Sequence, residues 1–256
     1  MSEFRAARTA GIASAAQVDA GLRAHMNKVY GTMSVGMLIT FAAAWAISGL
    51  AVTDVPTAYQ ISAGKYLTDL GYALYASPLK WVIMFAPLAF VFGFGAAINR
   101  LSAAGAQLVF YAFAFVMGLS ISWIFMVFTG VSIINVFLIT SIAFAGLSLY
   151  GYTTKKDISG WGAFLIMGVI GLLVASIVNI FVASSAIQFA ISVLGVLIFA
   201  GLTAYDTQSI KTTYIAHAHH GDSEWLEKSA IMGALNLYLD FINMFMFLLQ
   251  LLGNRE

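Results

Sequence analysis

Seven runs of roughly twenty apolar residues leave this chain little choice of fold. They fall at 29–51, 81–98, 105–128, 131–150, 161–182, 186–208 and 230–252. A helix needs about 20 residues, at about 1.5 Å each, to cross a hydrocarbon core. Each run reaches that length or comes close; the second is short. None alternates with a period of two, so membrane strands are not indicated. Charged residues make up 9% of the chain, against about 25% in a soluble domain, too few to clothe a water-facing surface. The expected fold class is an all-α integral membrane protein with seven transmembrane helices. A polar tail is expected at 1–27, a seven-helix transmembrane domain at 28–252 and a short C-terminal tail at 253–256.

Composition removes several function classes. The chain has no cysteine, hence no disulfide, thiolate metal site or cysteine nucleophile. A net charge of +1 makes no case for nucleic-acid binding. Residues 1–27 lack the continuous apolar core of a signal peptide and read as a tail, helical in part near 15–27. The linkers at 129–130 and 183–185 are tight, so the helices they join should be antiparallel neighbours. The longer linkers are 52–80, broken by Pro56, Gly64, Gly71 and Pro78, and 209–229. Small residues one turn apart (Gly93 with Ala97, Gly118 with Ser122, Gly171 with Ala175) are expected at close helix contacts. Arg5, Arg8, Arg23, Lys28, Arg100, Lys155, Lys156, Lys211 and Lys228 would share one side of the membrane, against Lys65, Lys80 and Arg255 on the other. By the positive-inside rule the N-terminus is then cytoplasmic. The last run either crosses, leaving the C-terminus outside, or is re-entrant.

The last run, ALNLYLDFINMFMFLLQLL at 234–252, contains an acid, Asp240. A carboxylate at membrane depth costs several kcal/mol unless paired, wetted or protonated. Asn236 and Asn243 share its helix face and are candidates for orienting it. Asp206, in GLTAYDTQSIK, lies near the cytoplasmic end of the sixth run, with Thr203 and Ser209 on the same face. Asp240 sits about ten residues, roughly 15 Å, into a helix that starts from that same side, so the two acids could meet. Two carboxylates in one low-dielectric site cannot both ionise cheaply, and such a pair shares a proton. The shared proton would latch the two helices, and full ionisation would loosen them. The ionised oxygens would suit a hard cation such as Ca²⁺, so Asp206 and Asp240 are also the candidate metal contacts along an ion path. The bland alternative is that each acid bonds nearby backbone.

Arg100, in INRLS after the second run, falls on the cytoplasmic side and either counters the acids or anchors the helix. His217, His219 and His220 lie in the sixth linker beside Asp222 and Glu224; a metal site, a proton sensor and a solvated loop all remain open. No P-loop, GxSxG, HExxH or dinucleotide fingerprint occurs, and the chain is not expected to be an enzyme.

The segments AGLTAYDTQSIK (200–211) and LNLYLDFINMF (235–245), in that order, resemble the Bax inhibitor family, the transmembrane BAX-inhibitor-motif proteins, as does FYAFAFVMGLSIS (110–122) after INRLS. The resemblance covers about 28–252 and looks like that of a bacterial member. It implies a central last helix wrapped by the other six. It implies a pH-sensitive calcium leak channel in which Asp206 and Asp240 form the proton-sensing pair and Arg100 switches contact with them. Protons would be the regulator and calcium the transported ion, with no cofactor. The alternative is a non-transporting regulator of stress survival that acts through a membrane protease or another membrane partner. The implied location is the bacterial inner membrane, in contact with the bilayer, with a monomer compatible. One departure stands out: 81–98 carries no acid where some relatives have one, and Ala89 occupies about that depth, which weakens the calcium reading more than the proton-sensing one. The 52–80 linker is placed to cover the outer mouth of such a path.

Overall fold

The computed structural model describes all residues except Met1, Ala63, His219, His220, Gly221 and Glu256; within it, the side chains of 2–17 and 99 are left undescribed. Among the described residues, seven helices are long and apolar enough to cross a membrane. They lie in α1 (Ser2–Ala51), α3 (Leu79–Ala97), α4 with its short continuation α5 (Ala103–Ile121, Ile124–Val127), α6 (Gly130–Thr153), α7 (Trp161–Val182), α8 (Ser185–His217) and α9 (Ser223–Leu252). The chain is an integral membrane protein of seven apolar helices.

Three boundaries differ from the sequence expectation. The tail is continuous with the first span: Leu22, Met26, Val29 and Met33 are buried, at spacings that keep one face of α1 apolar well before residue 28. The 209–229 linker shrinks to 218–222, because both flanking helices run on through polar sequence. The third run breaks at Ser122, whose hydroxyl turns back to the Leu119 carbonyl at 2.7 Å and meets the Tyr75 hydroxyl at 2.7 Å. Burial pushes the Tyr75 phenol above its usual range, with the Ser122 bond opposing. The last run is one uninterrupted helix of 30 residues, long enough to cross rather than re-enter.

The 52–80 linker folds on itself. Strands β1 (Val52–Thr53), β2 (Gln60–Ser62) and β3 (Lys65–Leu67) pair antiparallel in the order β1-β3-β2. Gly64, at φ +77, makes the turn that a side chain would strain. Thr68 caps α2 (Asp69–Tyr75) by accepting from the Gly71 amide. Gly71 is therefore not a breaker: it lies inside α2, where a Cβ would strike the Ala51 carbonyl.

Contacts divide the chain into two compact units, Met1–Met33 with Ile142–Met244, and Ser34–Ser141 with Phe245–Glu256. In the first, α7 and α8 pack closely, with Gly162 under Tyr205, Gly168 under Ile198 and Gly201 under Leu165; Gly151 of α6 lies on the Ala204 backbone. The turn between α7 and α8 holds Ala183 in the left-handed region at φ 52. Asn179 secures it, accepting from the Ser184 amide at 3.0 Å, which offsets the roughly 1–2 kcal/mol that this conformation costs alanine. In the second unit, Gly118 of α4 meets Thr40 and Ala43 of α1, and the Thr40 hydroxyl reaches the Ala114 carbonyl at 2.8 Å. Of the three expected small-residue contacts only Gly118 is one; Gly93 and Gly171 face open space.

Candidate functional site

The site is built by α8 and α9. Ser184 starts α8 by accepting from the Ile187 amide. Along α8, Thr203 and Thr207 return their hydroxyl protons to the Phe199 and Thr203 carbonyls, each at 2.8 Å. Such local bonds let buried hydroxyls sit in an apolar helix without an unpaid donor. Asp206 stands between them, half-buried. Asp240 lies near the middle of α9 at 3% exposure, among the fully buried Leu237, Tyr238 and Met244. Phe241 beside it packs edge-to-face on Phe144, centroids 5.5 Å apart.

The two acids are neighbours, close enough for their carboxyl groups to interact directly. Neither has a salt bridge among the described residues. Oδ2 of Asp240 is buried and has no hydrogen-bond partner among the described residues. A carboxylate can only accept, so a bond between two carboxyl groups requires a proton on one of them. Removing that proton leaves two like charges where water is scarce, which is unfavourable.

The remaining sequence candidates are placed as follows. Thr203 is buried and bonded within its own helix. Ser209 lines a polar cavity on α8. Asn236 is exposed, and Asn243 donates to the Leu239 carbonyl at 2.8 Å, so neither bonds Asp240 among the described hydrogen bonds. Arg100 ends the 3-10 turn Ile98–Arg100 in the other unit, exposed and with no salt bridge among the described residues. His219 and His220 lie outside the described residues. His217 stacks on Trp225 with centroids 4.1 Å apart. No cluster of three or more His, Asp or Glu side chains able to hold a metal occurs among the described residues.

Two features escaped the sequence. His25 of α1 is buried, its Nε2 has no hydrogen-bond partner among the described residues, and its ring lies 4.9 Å from that of Tyr214. The Leu22, Met26, Val29 spacing was the signal that this segment is packed, not solvated. A hydroxyl chain also runs from Tyr30 to Ser148 at 2.6 Å and on to Thr207 at 2.9 Å, joining α1, α6 and α8.

Residues 22–256 match the family model described as "Inhibitor of apoptosis-promoting Bax1". An uncharacterized protein of Caulobacter vibrioides is 44% identical over 241 residues, covering 93% of this chain and 92% of its own. The inner membrane protein YbhL of Escherichia coli is 40% identical over 244 residues, covering 95% of this chain and 97% of its own. An uncharacterized protein of Rickettsia prowazekii is 40% identical over 238 residues, at 93% and 92% coverage. With the family model spanning nearly the whole chain and the acid-bearing helices inside the matched region, this chain belongs to the Bax inhibitor family.

Proposed function

We propose that the protein is a pH-sensitive cation leak of a bacterial inner membrane, with calcium as the permeant ion and the Asp206–Asp240 pair as its gate. The observation that carries this reading is the approach of two acids on neighbouring apolar helices, one of them almost fully buried. At low pH the shared proton holds α8 to α9. As pH rises the proton leaves, the carboxylates repel, and the helices separate. The freed oxygens then offer a hard cation a transient contact. Two carboxyl groups are too few for a resident calcium site, which takes about 6–8 oxygens, and this suits passage rather than storage. Arg100 enters only through the family resemblance, as a counter-charge to the ionised pair. The N-terminus is read as cytoplasmic from the lysine and arginine distribution.

Calcium uptake into proteoliposomes, followed across a pH series, tests this. Flux should rise with pH in the wild type. Asp240→Asn should flatten that dependence; an unchanged flux and an unchanged pH profile would sink the mechanism.

A further inference from the structure

The first unit carries a second polar feature that the acid pair does not use. The α6–α7 linker and α8 enclose a cavity of about 660 Å³, within the range of small-ligand pockets. Lys155, Lys156 and Lys211 line it, with the hydroxyls of Thr154, Ser159 and Thr212.

This cavity is held in shape. Gln208, buried at the base, accepts from the Ile158 amide at 2.9 Å and donates to the Lys156 carbonyl at 2.8 Å. The linker is thereby pinned to α8 from both ends of one side chain. Lys211 is half-buried and already placed: its Nζ donates to the Tyr152 carbonyl at 2.7 Å and sits 5.4 Å from the centre of that residue's ring. An ammonium has three donors, so two remain for a ligand. None of the three lysines has a salt bridge among the described residues. The one acid on the lining, Asp157, is turned into its own loop, where Oδ1 accepts from the Ser159 amide at 2.9 Å. That bond holds its carboxyl below the usual range.

Three lysines without a salt bridge among the described residues, interleaved with hydroxyls around a fixed floor, match a tetrahedral phosphate with several acceptor oxygens better than a carboxylate or an apolar ligand. The cavity opens where an apolar helix gives way to a linker, the level at which a bilayer presents phosphate. We propose that this cavity binds a phosphate group, presented by an anionic lipid headgroup or as free phosphate, independently of what the acid pair conducts.

Purified full-length protein in a neutral detergent is titrated with dioctanoyl phosphatidylglycerol, dioctanoyl phosphatidylcholine and inorganic phosphate, with thermal midpoint and calorimetric affinity as readouts. Phosphatidylglycerol should stabilise saturably and phosphatidylcholine should not. Saturable binding of phosphatidylglycerol alone identifies the lipid as source, whereas competition by inorganic phosphate identifies the free ion; both support the site. Lys155→Gln with Lys156→Gln should weaken binding about fivefold per lysine, and adding Lys211→Gln should weaken it further. Lys80→Gln, outside the cavity, should bind as wild type. Lys155 and Lys156 are exposed, so the double variant keeps the test valid if loss of the Lys211–Tyr152 bond impairs folding. Unchanged affinity in the double variant means that these lysines only anchor the protein at the membrane, and overturns the proposal. So does equal binding of the zwitterionic lipid, or no saturable binding of either phosphate compound. The readout is binding, so failure here leaves the leak reading standing, and failure of the leak leaves this site standing.

Discussion

α7 and α9 are both long enough to cross a bilayer, yet they use apolar sequence in opposite ways. The most apolar stretch of α7 has a mean hydropathy of 2.6 and only 11% of it is buried in protein; for α9 the figures are 1.6 and 50%. In a water-soluble protein the greasier helix would be the core. Lipid solvates Leu and Phe as well as a protein interior does, so apolar content no longer drives a helix inward. What must be hidden from hydrocarbon is polarity. α9 carries Asp240 and Asn243 and is covered, while α7 presents Phe164 and Phe181 outward, the latter 84% exposed.

The largest test of this contrast is Asp240→Asn. An amide in place of the Asp240 carboxyl cannot ionise and can still donate to Asp206, so under the proposed gate the leak in proteoliposomes should stay near its low-pH level, roughly 10- to 100-fold below wild type at high pH, the equivalent of about 1.4–2.8 kcal/mol. Asp206→Asn should act in the same direction, since either change removes the repulsion that appears on ionisation. A leak rate equal to wild type for both variants at every pH would break the link between polarity and gating. Next is Gly151→Val. A Cβ here meets the Ala204 carbonyl backbone, which cannot rotate away, and overpacking of this kind costs about 2 kcal/mol or more; a thermal midpoint in detergent that does not fall refutes the close approach of α6 to α8. Ser148→Ala interrupts the hydroxyl chain between Tyr30 and Thr207. It should cost about 0.6 kcal/mol, typical of interhelical hydrogen bonds in membranes. The smallest effect belongs to α7: Phe181→Leu should change the midpoint by less than about 0.5 kcal/mol in equivalent stability, and a larger loss would show that α7 has a protein partner where lipid is expected.

Much of this was legible because membrane helices advertise themselves. The seven runs and the tight linker at 183–185 follow from length and from the shortness of the gap between runs; for Asp206 and Asp240 the sequence allowed a meeting by depth without requiring it. The failures are equally physical. Asn236 and Asn243 share a face with Asp240 by spacing, but spacing does not say whether an amide prefers a neighbour's carboxyl or its own helix carbonyl; Asn243 took the Leu239 carbonyl. Thr203 likewise bonded backward to Phe199. Gly93 and Gly171 fit the close-contact pattern and face open space, because small residues permit a neighbour without supplying one. His25 was passed over because a lone histidine near a terminus carries no period of its own; its burial comes from Tyr214, far along the chain.

The sequence by itself determined that the chain lives in a membrane, how many times it can cross, and that an acid within the last helix had to be answered by something. Those conclusions need only lengths and transfer costs, which are properties of a segment. Only the tertiary structure decided what answers Asp240, that the Lys155–Lys156 linker is pinned over α8 by Gln208 to leave a cavity, and that α9 rather than the more apolar α7 is the covered helix. Each of these depends on which side chains from distant segments come within a few ångströms of one another, and lipid, unlike water, does not sort helices by how apolar they are.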